Sequence, residues 1–427
     1  MRNLIGALTS LAISVSALAD TAIKNVTAIT MDNGQTIENA VVVVQNDRIV
    51  HVGTTLPTGY DITLEIDGTG KYLIPGLAEM HGHLPYASAN PVEKEEILFL
   101  YLAGGITTVR GMLGDPTQFD MRNAIKSGAI DGPTLYLAAP SLNGNSVRSV
   151  EDAIAKVRQY QEDGWDLLKI HPGLSNDEYH AIADTARSLG LPFGGHVPAE
   201  VGIAEALAAG QTSIDHLDGF LELVNGYDHE ITPLELKQII DIYRIYEPSW
   251  LVPTQALFGI LIGGGDAKSL AARFENQYMP TSTRENWKRR IAAANREATP
   301  YAQRNRQKAL RALSMAGAKI VMGSDAPQLY SVPGFSIWRE IETMTDAGLS
   351  ANEILEIGTV NAGAYFADKD IFGQIKEGMR ADLVILDADP RLKADNLFKQ
   401  AGVMAAGRWY SKTMIDTRLK EIANRNK

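Results

Sequence analysis

The sequence predicts an α/β protein: a (β/α)8 TIM barrel with a small β-sandwich domain built from both chain ends. Three observations carry this prediction. Eight short apolar segments alternate with helical ones through the middle of the chain, and strand-rich stretches occupy both ends. In the middle region, histidines, a lysine and an aspartate fall at the C-terminal ends of the apolar segments, where a barrel of this kind puts its active site. With 427 residues the chain exceeds what one core usually supports, so a large and a smaller unit are expected. The expected division is a signal peptide over 1–19, a β-sandwich part over 20–72, a (β/α)8 barrel over 73–367 and a second β-sandwich part over 368–427.

The N-terminus reads as an export signal. Arg2 gives a positive start, Leu4 to Leu18 is apolar, and Ala17-Leu18-Ala19 before Asp20 fits a signal-peptidase site. The expected location is periplasmic or secreted, after cleavage near Ala19. No other stretch approaches the ~18 apolar residues of a spanning helix, so no membrane span is expected. A formal net charge of -11 argues against nucleic acid as a partner, because a phosphate backbone requires a basic surface. The local basic run around Trp287, Lys288, Arg289, Arg290, Arg304, Arg306 and Arg311 reads as the solvated face of helices. The absence of cysteine excludes disulfides and thiolate ligands, so any metal must be held by His and carboxylates.

The first strands are expected at Asn25–Thr30, Ala40–Val44 and Asp61–Ile66, closed by the turn Asp67-Gly68-Thr69-Gly70. The barrel strands are then Leu73–His83, Gly105–Arg110, Pro133–Ala138, Trp165–Ile170, Leu191–His196, Thr212–His216, Trp250–Thr254 and Lys319–Asp325. Helices between them carry start signals: Ser175 with Glu178, Thr232 with Pro233 and Glu235, and Ser350 with Glu353. Gly190 stops the first of these. The polar stretch from Gly263 to Tyr301 is expected to hold extra helices near the barrel mouth. Strands return at Gly373–Ile375, Asp382–Leu386, Gly402–Ala405 and Arg408–Tyr410, and Arg418–Lys427 reads as a frayed helical tail.

His81 and His83 are one residue apart on an extended run, so both imidazoles point to one side and can reach one metal ion. They end the first barrel strand; Lys169, His196, His216 and Asp325 stand at or near the ends of the fourth, fifth, sixth and eighth. Each has an ordinary alternative: a rim histidine can hydrogen-bond a loop, Asp325 can cap a helix, and Lys169 can extend into solvent. Their joint placement on one rim is what points to a site.

Asp67-Gly68-Thr69-Gly70-Lys71, Pro75-Gly76-Leu77, His81-x-His83, Gly105-Ile106-Thr107-Thr108, Gly323-Ser324-Asp325, Thr359-Val360-Asn361-Ala362 and Gly378–Leu383 together resemble the amidohydrolase superfamily, in its imidazolonepropionase-like and Xaa-Pro-dipeptidase-like branch. The resemblance implies two divalent metal ions, zinc first among the candidates, bridged by carboxylated Lys169. His81, His83 and Asp325 would hold one ion and His196 and His216 the other, with Asp325 and Lys169 as the catalytic residues. An unmodified lysine repels cations, whereas its carbamate offers two oxygens. The implied reaction is hydrolysis of a C–N bond in a small amide or peptide, such as a dipeptide or N-acyl amino acid. A lactonase or cyclic-imide hydrolase on the same centre, and an inactive ligand-binding relative, are the rival readings. Glu79 stands where the family usually has Asp. Ser141–Ser146 lacks the Gly-Gly-His of many dipeptidase-like relatives, which leaves the substrate open. Arg110, Asn143, His171 and Tyr227 are candidate substrate contacts, each with an equally ordinary structural role. His51, His180 and His229 read as non-catalytic, and a homo-oligomer is left open.

Overall fold

The computed structural model describes residues 20–246, 249–262, 266–293 and 301–427; the expected signal peptide lies outside them. Five strands come first: β1 (Asp20–Ile29), β2 (Thr36–Gln45), β3 (Arg48–Gly53), β4 (Ile62–Asp67) and β5 (Tyr72–Pro75). Next come β6 (Leu77–Gly82), β7 (Ile106–Gly111), β8 (Thr134–Leu137), β9 (Leu168–Ile170), β10 (Phe193–Gly195), β11 (Ser213–Asp215) and β12 (Trp250–Val252). The last three are β13 (Leu383–Leu386), β14 (Gln400–Ala405) and β15 (Arg408–Ser411).

The two chain ends share one sheet of order β15-β14-β13-β5-β1-β2-β3, with β4 paired to β1. The seam between them is β5 against β13, antiparallel, with Leu73 opposite Ile385 and Ile74 opposite Val384. Alternate residues face different cores. Leu73, Leu383, Ile385 and Met404 pack with Ile23, Val42 and Val44. Ile74, Val384, Leu386 and Val403 join the core that continues into the barrel. Burial on both faces is why these strands read as unbroken apolar runs. Two expectations change here. Leu73–Pro75 belongs to the end sheet, and the barrel begins at Leu77; Gly76 N donates to Asp382 O across the break (2.8 Å). Gly373–Ile375 forms no strand, although Ile375 N donates to Thr30 O and its side chain is buried in the end-sheet core.

The barrel is two parallel arcs, β6-β7-β8 and β9-β10-β11-β12. Parallel bridges from Ala138 to Leu167 and from Leu142 to Ile170 join them. The segment Lys319–Asp325 closes the ring as the eighth strand. Leu251 N donates to Lys319 O, Met80 N to Met322 O (both 2.8 Å), and Asp325 N to His81 O (2.7 Å). Capping places the outer helices as expected. Ser175 and Glu178 form a capping box for Asn176–Leu189, which Gly190 ends in a left-handed conformation, and Ser350 and Glu353 do the same for Ala351–Gly358. Thr232 and Glu235 bond each other at the start of Pro233–Tyr246.

The stretch expected to hold extra helices supplies Ala267–Ala271, a 3-10 turn at Phe274–Tyr278 and Thr281–Ala293. The tail is not frayed. The helix Lys412–Arg425 is anchored at its end by Arg425 Nε to Glu96 Oε1 (2.5 Å) and by Asn426 Nδ2 to Tyr278 O (2.9 Å). Nor is the basic run wholly solvated: Arg306 is fully buried, with Nε on Gln255 Oε1 (2.9 Å), Nη1 on His216 O (2.7 Å) and Nη2 on Pro253 O (2.8 Å). It lies on the stripe Ala302, Arg306, Ala309, Leu310, Leu313 that buries the helix Ala302–Met315. Helical period placed it inside; charge alone pointed outward. No described helix is long and apolar enough to cross a membrane.

Candidate metal centre

β6 delivers His81 and, just past its end, His83; β9 carries Lys169; His196 and His216 directly follow β10 and β11, and Asp325 ends the eighth segment that closes the ring. His81 Nε2 lies 3.2 Å from Lys169 Nζ and 3.7 Å from Asp325 Oδ1. His83 Nε2 is 2.6 Å from the same Oδ1. One ligand atom each from His81, His83 and Asp325 can be chosen within 4.8 Å of one another. The His216 ring centroid is 4.6 Å from that of His81 and 4.3 Å from that of His196, and its Nδ1 is 3.9 Å from Asp325 Oδ2. All the side chains expected to hold metal therefore meet at one mouth.

Outer partners fix these rings. His81 Nδ1 is 2.7 Å from Asp215 Oδ2, His196 Nδ1 is 2.7 Å from Asp218 Oδ2, and His216 Nδ1 is 2.8 Å from Thr254 Oγ1. Such partners orient an imidazole for a metal. Two buried imidazole nitrogens, His83 Nδ1 and His216 Nε2, find no hydrogen-bond partner among the described residues. A buried polar atom left unpaired costs roughly 1–3 kcal/mol, and a cation is one way to recover it. The donor set thus fits a divalent metal.

The electrostatics agree. Burial pushes His81 and His216 far below the usual imidazole range, aided by Lys169 for the first and His196 for the second. Neutral imidazoles keep lone pairs for a metal. Burial also lowers the pKa of fully buried Lys169, against the pull of Asp215 and Asp325, in the direction of the uncharged amine. Burial would raise Asp325, but His81 and His83 outweigh it and hold the carboxyl well below its usual range.

Backbone detail makes the geometry possible. At Gly195 (φ 123°) a Cβ would sit 2.5 Å from Ile170 O and 3.0 Å from Lys169 Cδ, so glycine leaves the lysine its space. His216 (φ 66°) and Asp325 (φ 60°) leave their strands in the left-handed region, a costly conformation for non-glycine residues that tends to cluster at functional sites. Glu79 is fully buried; its Oε1 accepts from His81 N (3.0 Å) and Ser324 N (2.8 Å), and its Oε2 meets Ser324 Oγ. It ties the first barrel strand to the last beneath the site.

The four substrate candidates divide. Arg110 is fully buried and donates to Met80 O, Ser213 Oγ, Tyr365 OH and both oxygens of Asp215. A guanidinium has five N–H donors, so none is left for a substrate, and the expected contact does not hold. Asn143 shapes its own loop, accepting from Asn145 N and Ser146 N and donating to Ser141 Oγ. Ser141 Oγ in turn is 2.7 Å from His171 Nδ1, and the His171 ring is 5.0 Å from that of His196. Burial and the Lys169 charge push His171 down to about 2, so it stands neutral beside the centre. Tyr227 hydrogen-bonds Arg306, whose Nη1 holds His216 O. His180 and His229 pair with Glu205 and Glu235, away from the centre. The supporting residues Asp215, Asp218 and Thr254 were not anticipated, although Asp215 and Asp218 flank His216 in the sequence and could have been suspected.

A cavity of about 510 Å³ opens beside His83, walled by the loop Leu84–Ala89, the helix Pro91–Ala103, Met279, Thr283 and Gln328.

Comparison with known proteins agrees with this architecture. The amidohydrolase family model matches residues 72–417, and the chain belongs to that family. The imidazolonepropionase of Stenotrophomonas maltophilia is 40% identical over 85 residues, 18% of this chain and 20% of that protein. The imidazolonepropionase of an Arthrobacter species is 29% identical over 153 residues, 34% of this chain and 37% of that protein. The matched stretch thus spans little more than a third of that curated relative. A putative prolidase from Bifidobacterium longum superimposes with a TM-score of 0.69 at 24% identity, covering 95% of this chain and 99% of the other. Bottromycin amidohydrolase gives 0.74 at 22% identity, over 94% and 90%. At these identities the structural likeness is one of fold.

Proposed function

We propose that this protein hydrolyses a C–N bond of a small amide, such as a dipeptide or N-acyl amino acid, at a two-metal centre. The observation that carries the reading is the meeting of four imidazoles, Asp325 and buried Lys169 at one barrel mouth, with His216 Nε2 unpartnered among the described residues. The imidazolonepropionase relatives and prolidase-like fold are named for C–N chemistry, which supports the bond class.

His81, His83 and Asp325 would hold one divalent ion, zinc first among the candidates, and His196 and His216 the other. Lys169 would lie between them as its carbamate. The uncharged amine favoured by burial attacks carbon dioxide at Nζ and loses a proton, giving an anion with two oxygens. When bound, such ions supply Lewis acidity and make water acidic enough to attack at neutral pH. Asp325, kept ionised, takes the proton of the attacking water on a carboxylate oxygen and returns it to the leaving nitrogen. Asp215, Asp218 and Thr254 hold the imidazoles in place through these events.

Export belongs to the same proposal: cleavage after Ala19 puts the mature enzyme outside the cytoplasm, and sequencing the N-terminus of native protein should return Asp20. The activity test is elemental analysis, then a parallel screen of dipeptides, N-acyl amino acids, lactones and cyclic imides. Two metals per chain and turnover of linear amides are expected. Turnover confined to lactones or cyclic imides would move the reaction class, and a metal-free, inactive protein would sink the centre.

A further inference from the structure

We infer that the cavity beside His83 is a subsite for a positively charged substrate group, an ammonium or guanidinium, and that Glu93 selects it. The inference rests on the proposed hydrolase reading, since it takes His83 as the reacting end of the cavity. The cavity has about 510 Å³, room for an amino-acid side chain with water, and His83 forms part of its wall. Leu84, Pro85, Ile97, Met279 and Pro327 give it apolar sides. Among the described lining residues Glu93 supplies the one carboxylate, and none is lysine or arginine.

A carboxylate against apolar walls interacts with a charged ligand more strongly than it would in bulk water, because the effective dielectric constant is lower. A substrate cation would gain from this field, and a substrate carboxylate would meet repulsion. The backbone of Glu93 is fixed. It sits in the first turn of the helix Pro91–Ala103, and its N–H is held by the Asn90 cap at 2.9 Å. Tyr86, also lining the cavity, has its phenol pushed up to about 12, chiefly by burial, so it offers the cavity a neutral hydroxyl. The remaining polar groups, Ser88, Thr283 and Gln328, are neutral and can complete the hydrogen bonds of a multi-donor cation.

The test separates binding from turnover. Metal-loaded full-length protein is titrated calorimetrically at pH 7 with L-argininamide, L-citrullinamide, its neutral near-isostere, and L-isoglutamine, which carries a free side-chain carboxylate. Wild type should bind argininamide at least about tenfold more tightly than citrullinamide, and isoglutamine least. Glu93→Gln should erase the preference, and Glu93→Lys should reverse it toward isoglutamine. Both variants are checked for metal content and melting temperature. Dipeptides bearing arginine, citrulline or glutamate at either position should follow the same order, through KM. Equal binding of argininamide and citrullinamide by wild type, or a preference that survives in Glu93→Gln, would overturn the inference. Selective binding of argininamide without cleavage of any amide would keep the subsite and overturn the hydrolase reading instead. Amide cleavage with no preference for a cation would do the reverse.

Discussion

Two groups of buried charge lie within one barrel, a few residues apart along the same strands, and they differ in how their polar atoms are used. In the interior, Arg110 spends its donors on Met80, Ser213, Tyr365 and Asp215, and Ser213 Oγ also donates to Asp215 (2.8 Å). At the mouth, His83 Nδ1 and His216 Nε2 are buried without a hydrogen-bond partner among the described residues. Asp215 belongs to both: its Oδ2 accepts from Arg110 Nη2 (3.1 Å) and lies 2.7 Å from His81 Nδ1. The contrast teaches that buried polarity by itself is no mark of a site: a satisfied network is a strut, whereas unpaired nitrogens on neighbouring imidazoles at one mouth leave lone pairs that a ligand could use.

The comparison breaks most sharply at Lys169. On the proposed two-metal reading, Lys169→Ala would remove the bridging anion and leave four imidazoles and one carboxylate to hold two mutually repelling cations. Metal should fall well below two per chain and activity by on the order of 1,000-fold or more. Acetate or propionate, able to sit where the carbamate stood, should restore part of both. Two tightly held ions in this variant without added acid would return Lys169 to the interior class of structural residues.

Asp325→Asn is the next step down. The amide can still offer an oxygen to metal but cannot carry a proton, so at least one ion should remain while turnover drops by about 100-fold to 10,000-fold. Near wild-type hydrolysis of a good substrate would remove Asp325 from its catalytic role.

For the interior network the expected loss is in stability. Arg110→Met leaves Asp215 buried without its cation, which should cost about 3–5 kcal/mol in chemical denaturation. Once residual activity is corrected for metal content, KM should stay put. A large rise in KM with unchanged stability would make Arg110 a substrate contact after all.

A smaller, pH-dependent effect comes from Glu340, which is fully buried and accepts from Gln255 N (2.9 Å) and Ala256 N (2.7 Å). Burial raises its pKa to about 7, those two bonds only partly opposing. The folded state then keeps a proton that the unfolded chain has lost, so this contribution to stability declines as pH rises from the ordinary glutamate range through about 7. Thermal melts from pH 5 to 8 should show a shallower decline in Glu340→Gln than in wild type. Equal slopes would assign the pH dependence elsewhere.

Much of this was legible along the chain because the physics that sets it is local. Strand ends, capping boxes at Ser175 and Ser350, and the i, i+2 pair His81 and His83 depend on neighbours a few residues away. The family motifs, spread from Asp67 to Leu383, added the expectation that distant histidines share one centre. What failed depended on partners far apart in sequence. Arg110 read as a candidate substrate contact until Asp215 and Tyr365 were found around it, and Arg306 looked solvated until Gln255 and His216 closed over it. The tail looked frayed until Glu96 and Tyr278 caught its end.

The sequence by itself therefore determined the barrel with its two-ended sheet and the family, and pointed to the residues proposed to hold metal, since periodicity, capping and motif spacing are written in consecutive residues. Tertiary structure alone decided that Leu73–Pro75 pairs with β13 rather than opening the barrel, that Asp215 serves both His81 and Arg110, and that Glu93 faces a cavity beside His83. The reason is that pairing, burial and satisfaction of a polar group are fixed by whatever the fold brings against it, and a linear pattern does not record that neighbour.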